Sequence, residues 1–173
     1  MNLAANIAPH LPYLRRFSRA LTGSQYSGDA YVAAVLEALI ADPAQINGEP
    51  DIKTSLYRTY CRLWESISLN LKNPDHGLDW EASAQRQLAN IAPKAREDFL
   101  LMAVEGFSKE EIGIILARDS GEVTALLEEA SQTITNQVAT DVLIIEDEPI
   151  IAMDLEALVE SLGHRVTGVA RTE

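Results

Sequence analysis

Cysteine is nearly absent from this 173-residue chain: Cys61 stands alone. One thiol excludes an intrachain disulfide framework and a thiolate metal cluster. Within a helical pattern it is expected to act as a small buried hydrophobe. Long apolar runs are missing as well. No stretch approaches the roughly 18 residues that span a bilayer. The opening residues, MNLAANIAPHLPYLRRF, lack a basic segment followed by an apolar core, so no secretory signal is expected. These absences point to a cytoplasmic protein with no membrane partner. Gly-rich phosphate loops, nucleophile elbows, internal repeats and low-complexity tracts are also lacking. His10, His76 and His164 have no ligand or nucleophile partners nearby in sequence. Nothing looks catalytic, and no enzyme is expected.

What is abundant is acid. The formal net charge is -12, unevenly placed. Residues 1–70 balance, whereas 92–137 carry net -5 and 138–173 net -6. Such a surface disfavours nucleic acid and anionic membrane and suits a basic protein partner or a cation; ordinary solubility is the plainer reading of the same acids.

The chain is organised around residues 107–134, FSKEEIGIILARDSGEVTALLEEASQTI. Ser108 and Glu111 have capping-box spacing, with Phe107 and Ile112 at hydrophobic-staple positions. Ile112, Ile115 and Leu116 mark one buried face. After a break at Arg118–Gly121, where Asp119 or Ser120 caps, Val123, Leu126, Leu127 and Ala130 continue an apolar stripe. Two capped helices joined by a tight Gly-containing turn fit a helix-turn-helix, and an ordinary helical hairpin fits the same pattern. The second helix decides its use. No Lys or Arg lies between Gly121 and Ile134, and Glu122, Glu128 and Glu129 stand off the apolar stripe. DNA readers need phosphate-neutralising cations in this place, so this face is a lost DNA-reading face.

Upstream, Leu11, Leu14, Phe17 and Leu21 form one helical stripe, with Arg15, Arg16 and Arg19 on other faces and Thr22-Gly-Ser24 ending the helix. Ser27-Gly-Asp29 is expected to start the next, in which Tyr31, Val32, Val35, Leu36, Leu39 and Ile40 occupy more than half the circumference. That helix is therefore buried from two sides or covered by a partner. Asp51 is expected to cap a third, with Ile52, Leu56, Tyr60, Leu63 and Ile67 in one stripe. Asn73–Gly77 breaks the pattern, Trp80–Leu88 is expected to add a short helix, and Pro93 opens another at its first turn.

Character changes after Ala139. Val142-Leu-Ile-Ile145 suits a buried parallel strand. A helix follows from Ile150 to Leu162 with Ile151, Leu155, Leu158 and Val159 inward, then Gly163 at an αL position and a strand from Arg165 to Ala170. Two strands and a helix cannot bury both faces of a sheet. The sequence is thus expected to be a truncated piece, or to complete its sheet by exchange with a second molecule. Glu146 and Asp147, at the carboxyl end of the first strand, suit a hard divalent cation such as Mg²⁺, although acids at a helix start also suit its dipole.

VLIIEDEPIIAMDLEALVESLGHRVTGVA resembles the start of a two-component receiver domain. HLPYLRRFSRALTGSQYSGDAYVAAVLEALI with DIKTSLYRTYCRLWES is similar to region two of extracytoplasmic-function sigma factors, and APKAREDFLLMAVEGFSKEEIGIILARDSGEVTALLEEASQTI to region four. That layout resembles the PhyR-type general stress response regulators. The resemblance implies a mainly α protein: a region two-like unit (1–72), a linker (73–91), a region four-like helix-turn-helix unit (92–137) and the start of a receiver (141–173). It implies Mg²⁺ at Glu146 and Asp147 in the complete receiver, with none expected on this chain, and a phosphoacceptor aspartate beyond residue 173. Implied partners are a NepR-type anti-sigma factor and a histidine kinase, with no DNA. Val32, Val35, Leu36, Leu39, Val123, Leu126 and Leu127 are the expected partner contacts. The second reading is a DNA-binding response regulator.

Overall fold

A computed structural model describes residues 3–46, 50–66 and 86–171 of the chain. The break at Asn73–Gly77, most of the linker, Ile67, His76 and the helix expected from Trp80 (apart from 86–88) lie outside the described residues. Two compact units emerge, Met1–Ala130 and Ser131–Glu173, divided within one long helix.

Among the described residues the first unit contains helices and no strand: α1 (Leu3–Ile7), α2 (Leu11–Thr22), α3 (Gln25–Ala41), α4 (Ile52–Ser66), α5 (Pro93–Ala103), α6 (Lys109–Leu116) and the start of α7 (Ser120–Val138). Local chemistry explains most of the boundaries. Gly23 closes α2 in the left-handed conformation, φ 70°, which costs glycine little. Asp51 accepts from the Thr54 amide at 2.9 Å and caps α4. Pro93 occupies the first turn of α5. One boundary differs from expectation. α3 begins at Gln25, because the Ser24 hydroxyl accepts from the Ser27 amide and caps the helix a turn earlier.

The core runs through both sigma-like segments. Leu14, Phe17 and Leu21 of α2, Tyr31, Val32, Val35 and Leu39 of α3, and Leu56, Tyr57, Tyr60 and Cys61 of α4 join Leu100, Leu101, Phe107, Ile112, Ile115, Val123 and Leu127 in one cluster. Cys61 is buried there, as its helical setting suggested. α2 and α3 approach so closely that a Cβ on Gly28 would lie 2.7 Å from the Arg19 nitrogen and 2.8 Å from its Cα. The Ser18 hydroxyl donates to the Gly28 carbonyl at 2.8 Å and accepts from the Tyr60 phenol at 2.5 Å. A polar stitch thus joins three helices through an apolar interior.

The second unit holds a parallel βαβ: β1 (Asp141–Ile145), α8 (Pro149–Ser161) and β2 (Arg165–Ala170), with Asp141 beside Arg165 and Ile145 beside Ala170. Gly163 takes φ 82° after α8, and a Cβ there would sit 2.5 Å from the Thr135 methyl of α7. The expected inward face of α8 is corrected. Ile151, Leu155 and Leu158 are exposed and Val159 is half-buried, while Ala152 is buried. Two strands cover only a narrow strip of helix, so the rest of its apolar side lies open. The outer sheet face is bare too, with Leu143 59% and Ile145 64% exposed.

Gly28→Ala tests the α2–α3 approach. An exposed helix would gain about 1 kcal/mol from this change, but overpacking against backbone costs about 1–3 kcal/mol. A lower urea midpoint is expected; an unchanged or higher one would show that the two helices part easily.

Candidate functional site

α6 and α7 form the expected helix-turn-helix. The Ser108 side chain accepts from the Glu111 amide at 3.2 Å and the Glu111 carboxylate accepts from the Ser108 amide at 2.7 Å, completing the capping box. Asp119, rather than Ser120, caps α7, its carboxylate accepting from the amides of Gly121 and Glu122 at 2.8 and 2.9 Å. The turn itself is not made by glycine. Ala117 takes the left-handed conformation, φ 53°, and Gly121 falls inside the first turn of α7.

Glu122, Glu128 and Glu129 are exposed on α7, and Ser120–Val138 contains no Lys or Arg. The cation that precedes α7 in sequence is turned inward: the Arg118 side chain is 6% exposed. Its guanidinium donates to Glu97 at 3.0 Å and makes a short bond to Asp98. Burial lifts the Glu97 carboxyl to about 7 against the pull of Arg118, and the same balance lifts Asp98 to about 6. Cys61 faces Glu97, and burial first, then that carboxyl, push its thiol up. Arg118 is thereby held within the fold.

A second buried acid lies at the turn between α5 and α6. The Glu105 side chain is 1% exposed. It accepts from Arg16 Nε at 3.2 Å, Arg16 Nη2 at 3.0 Å and the Tyr57 phenol at 2.6 Å. Arg16 also donates to the Val104 carbonyl at 2.6 Å and Lys53 Nζ to the Glu105 carbonyl at 2.7 Å. Lys53 lies 4.0 Å from the Phe107 ring centre, and that ring packs edge-on against Tyr57 at 5.0 Å. Burial and the adjacent carboxylate keep the Tyr57 phenol protonated. Three cations or donors from α2 and α4 therefore converge on one turn ahead of the helix-turn-helix.

The seven expected contact residues do not form one open surface. Val32, Val35, Leu39, Val123 and Leu127 are core residues, 9% exposed or less. α3 lies against α2 and α4, so most of its wide apolar face is used within the fold. Leu36 and Leu126 remain half-buried. In this conformation only these two of the seven present area to a partner.

Glu146 and Asp147 follow β1 as expected. One Glu146 oxygen already accepts from the Glu148 amide at 3.0 Å, and Asp147 is exposed. Two hard carboxylates suit Mg²⁺, which is commonly held by one or two such groups with waters. Among the described residues no third His, Cys, Asp or Glu joins them.

A sigma-like helical unit whose reading helix has lost its cations, followed by a parallel βαβ unit with an acidic pair after β1, defines a sigma-factor-shaped response regulator. Residues 7–61 match the Sigma2 domain of PhyR, and residues 88–137 match the sigma-like domain of the response regulator PhyR. The chain belongs to the PhyR family. It is 49% identical to the phyllosphere-induced regulator PhyR of Methylorubrum extorquens over 99% of its length, covering 64% of that protein. Against PhyR of Bartonella quintana, solved in complex with the anti-sigma factor NepR, identity is 47% with a TM-score of 0.82, covering 99% of this chain and 65% of the other. Against the PhyRSL–NepR complex of Sphingomonas sp. Fr1 identity is 40% with a TM-score of 0.66, covering 79% and 88%. The chain thus spans less than two thirds of the first two relatives.

Glu105→Ala leaves the buried Tyr57 hydroxyl without an acceptor, at a cost of about 1–3 kcal/mol. Arg16 is half exposed and adds little. Denaturant unfolding should show this loss, and Tyr57→Phe in the Glu105→Ala background should recover part of it. Additive losses in that double-mutant cycle would show that the two groups do not interact.

Proposed function

We propose that this chain is a sigma-factor mimic that sequesters a NepR-type anti-sigma factor, freeing the true sigma factor in a general stress response. The carrying observation is a helix-turn-helix that keeps the sigma-like fold while its second helix bears no cation and Arg118 faces inward. Relatives solved with NepR support the choice of partner. The anti-sigma factor would engage the helical unit, with Leu36 and Leu126 as its first contacts from the expected set. Further apolar positions would become available only if helices part on binding. No chemistry beyond binding is assigned to the helical unit.

The βαβ unit supplies the control element in this reading. Glu146 and Asp147 would hold Mg²⁺, which would neutralise charge on a phosphoryl group passed from a histidine kinase in the cytoplasm. Phosphorylation would then shift the population between a covered and an available sigma-like surface. The bare apolar residues of β1 and α8 are a surface that further chain or a second molecule would cover. No described helix is long and apolar enough to cross a membrane.

A DNA-binding response regulator is the weaker reading, because Glu122, Glu128 and Glu129 would repel the duplex. Titration calorimetry of the chain with a NepR-type anti-sigma factor is expected to show one-to-one binding at micromolar concentrations or below. Undetectable heat and no co-elution would count against the proposal. In a low-salt gel shift the chain should not retain duplex DNA, and Glu122→Arg/Glu128→Arg/Glu129→Arg should gain salt-sensitive retention. No gain would place the loss of DNA binding elsewhere in the chain.

A further inference from the structure

The cluster around Arg118 has a stoichiometric imbalance that neither sigma mimicry nor phosphorylation uses. Two carboxyl groups, Glu97 at 4% and Asp98 at 0% exposure, share one guanidinium. Each keeps one buried oxygen, Glu97 Oε1 and Asp98 Oδ2, without a hydrogen-bond partner. With both acids ionised, the interior would carry one uncompensated negative charge, which is costly away from water.

The neighbours do not correct it. α4 turns Tyr60, Cys61 and Glu65 toward Glu97, adding another carboxylate and no cation. α7 brings Glu122 toward Asp98, and α5 offers Lys94, whose side chain is 70% exposed and reaches Glu122 at 3.8 Å. Arg96, beside Glu97 in sequence, sends Nη1 to the Leu88 carbonyl at 3.5 Å. Arg118 is therefore the one buried cation facing the pair among the described residues. The cluster joins α4, α5 and the turn into α7, so its charge state bears on how firmly the helix-turn-helix is held.

We propose that this junction is proton-linked: closing α4 and α5 against the helix-turn-helix takes up one proton from solvent, which resides on Glu97. The neutral carboxyl shares its hydrogen bond with the Cys61 thiol, while Arg118 keeps its pairing with Asp98. Raising the pH removes that proton, restores the buried surplus charge and loosens the helix-turn-helix. The protein then has a built-in response to cytoplasmic pH that is separate from phosphoryl control.

The direction is opposite to that of a usual salt-bridged acid. A carboxyl group whose folded-state pKa lies above its unfolded value favours folding when protonated. For Glu97 the contribution is fully present below about 4.5 and lost as pH rises through about 7; for Asp98 it is lost through about 6. Urea unfolding of the whole chain, followed by circular dichroism between pH 5.5 and 8.5, should show the unfolding equilibrium moving toward the unfolded state by up to about tenfold per pH unit as pH rises to about 7, and levelling off above it. Glu97→Gln mimics the protonated acid and should flatten this slope while matching or exceeding wild-type stability at pH 8. A variant that keeps the wild-type slope, or that is much less stable at pH 8, overturns the proposal. Carboxyl-carbon NMR of the unmodified chain gives an independent reading. One Glu resonance titrating between pH 6 and 8 is expected, and complete titration of every Glu below pH 5.5 contradicts it.

Discussion

Glu105 is a buried acid whose donors come from two other helices, and the helical unit is built around satisfying it. A carboxylate 1% exposed is tolerable only with several donors, and Arg16 and Tyr57 supply three hydrogen bonds to it. Arg16 comes from α2 and Tyr57 from α4, while Glu105 itself belongs to the turn leading into α6. The same turn offers its backbone carbonyls to Arg16 and Lys53. Satisfying one acid therefore fixes the helix-turn-helix against the helices that resemble region two. Phe107, two residues on, continues the contact by packing edge-on against Tyr57.

That arrangement accounts for how charge is partitioned in the unit. Two arginines near the helix-turn-helix are spent on internal acids, Arg16 on Glu105 and Arg118 on Glu97 and Asp98, while the exposed Lys94 reaches Glu122 of α7 itself. The solvent face of α7 is left with carboxylates alone among its charged groups. A protein that binds DNA distributes charge the other way, with arginines outward along the reading helix. Retaining the sigma-like helices while inverting that face would be the physical basis of the proposed imitation without promoter binding.

Much of this was legible from residue patterns, and the exceptions share a cause. The capping box at Ser108 and Glu111, the Asp51 cap, Pro93 in a first turn and the parallel βαβ all follow local rules that act within a few residues. The hubs at Glu105 and Arg118 join residues 89 and 20 positions apart, and no local rule reports such pairs. A charged residue set between the buried segments 100–101 and 107 was the one available hint. The burial of most of the expected contact residues was hidden for a related reason. A wide apolar face on α3 signals burial, but it does not say whether the rest of the fold or another protein does the burying. Val32, Val35 and Leu39 turned inward because α2 and α4 occupy both flanks. Ile151, Leu155 and Leu158 erred the other way, because their periodicity assumed more sheet than two strands provide.

Sigma mimicry is at root a statement about competition for one surface, so displacement is its most direct measure. A NepR-type anti-sigma factor would be bound to its fluorescently labelled sigma factor, and this chain titrated in while anisotropy is followed. The account predicts that the chain lowers the anisotropy in a saturable manner, releasing free sigma factor. Anisotropy that stays constant, or rises as a ternary complex forms, would contradict it.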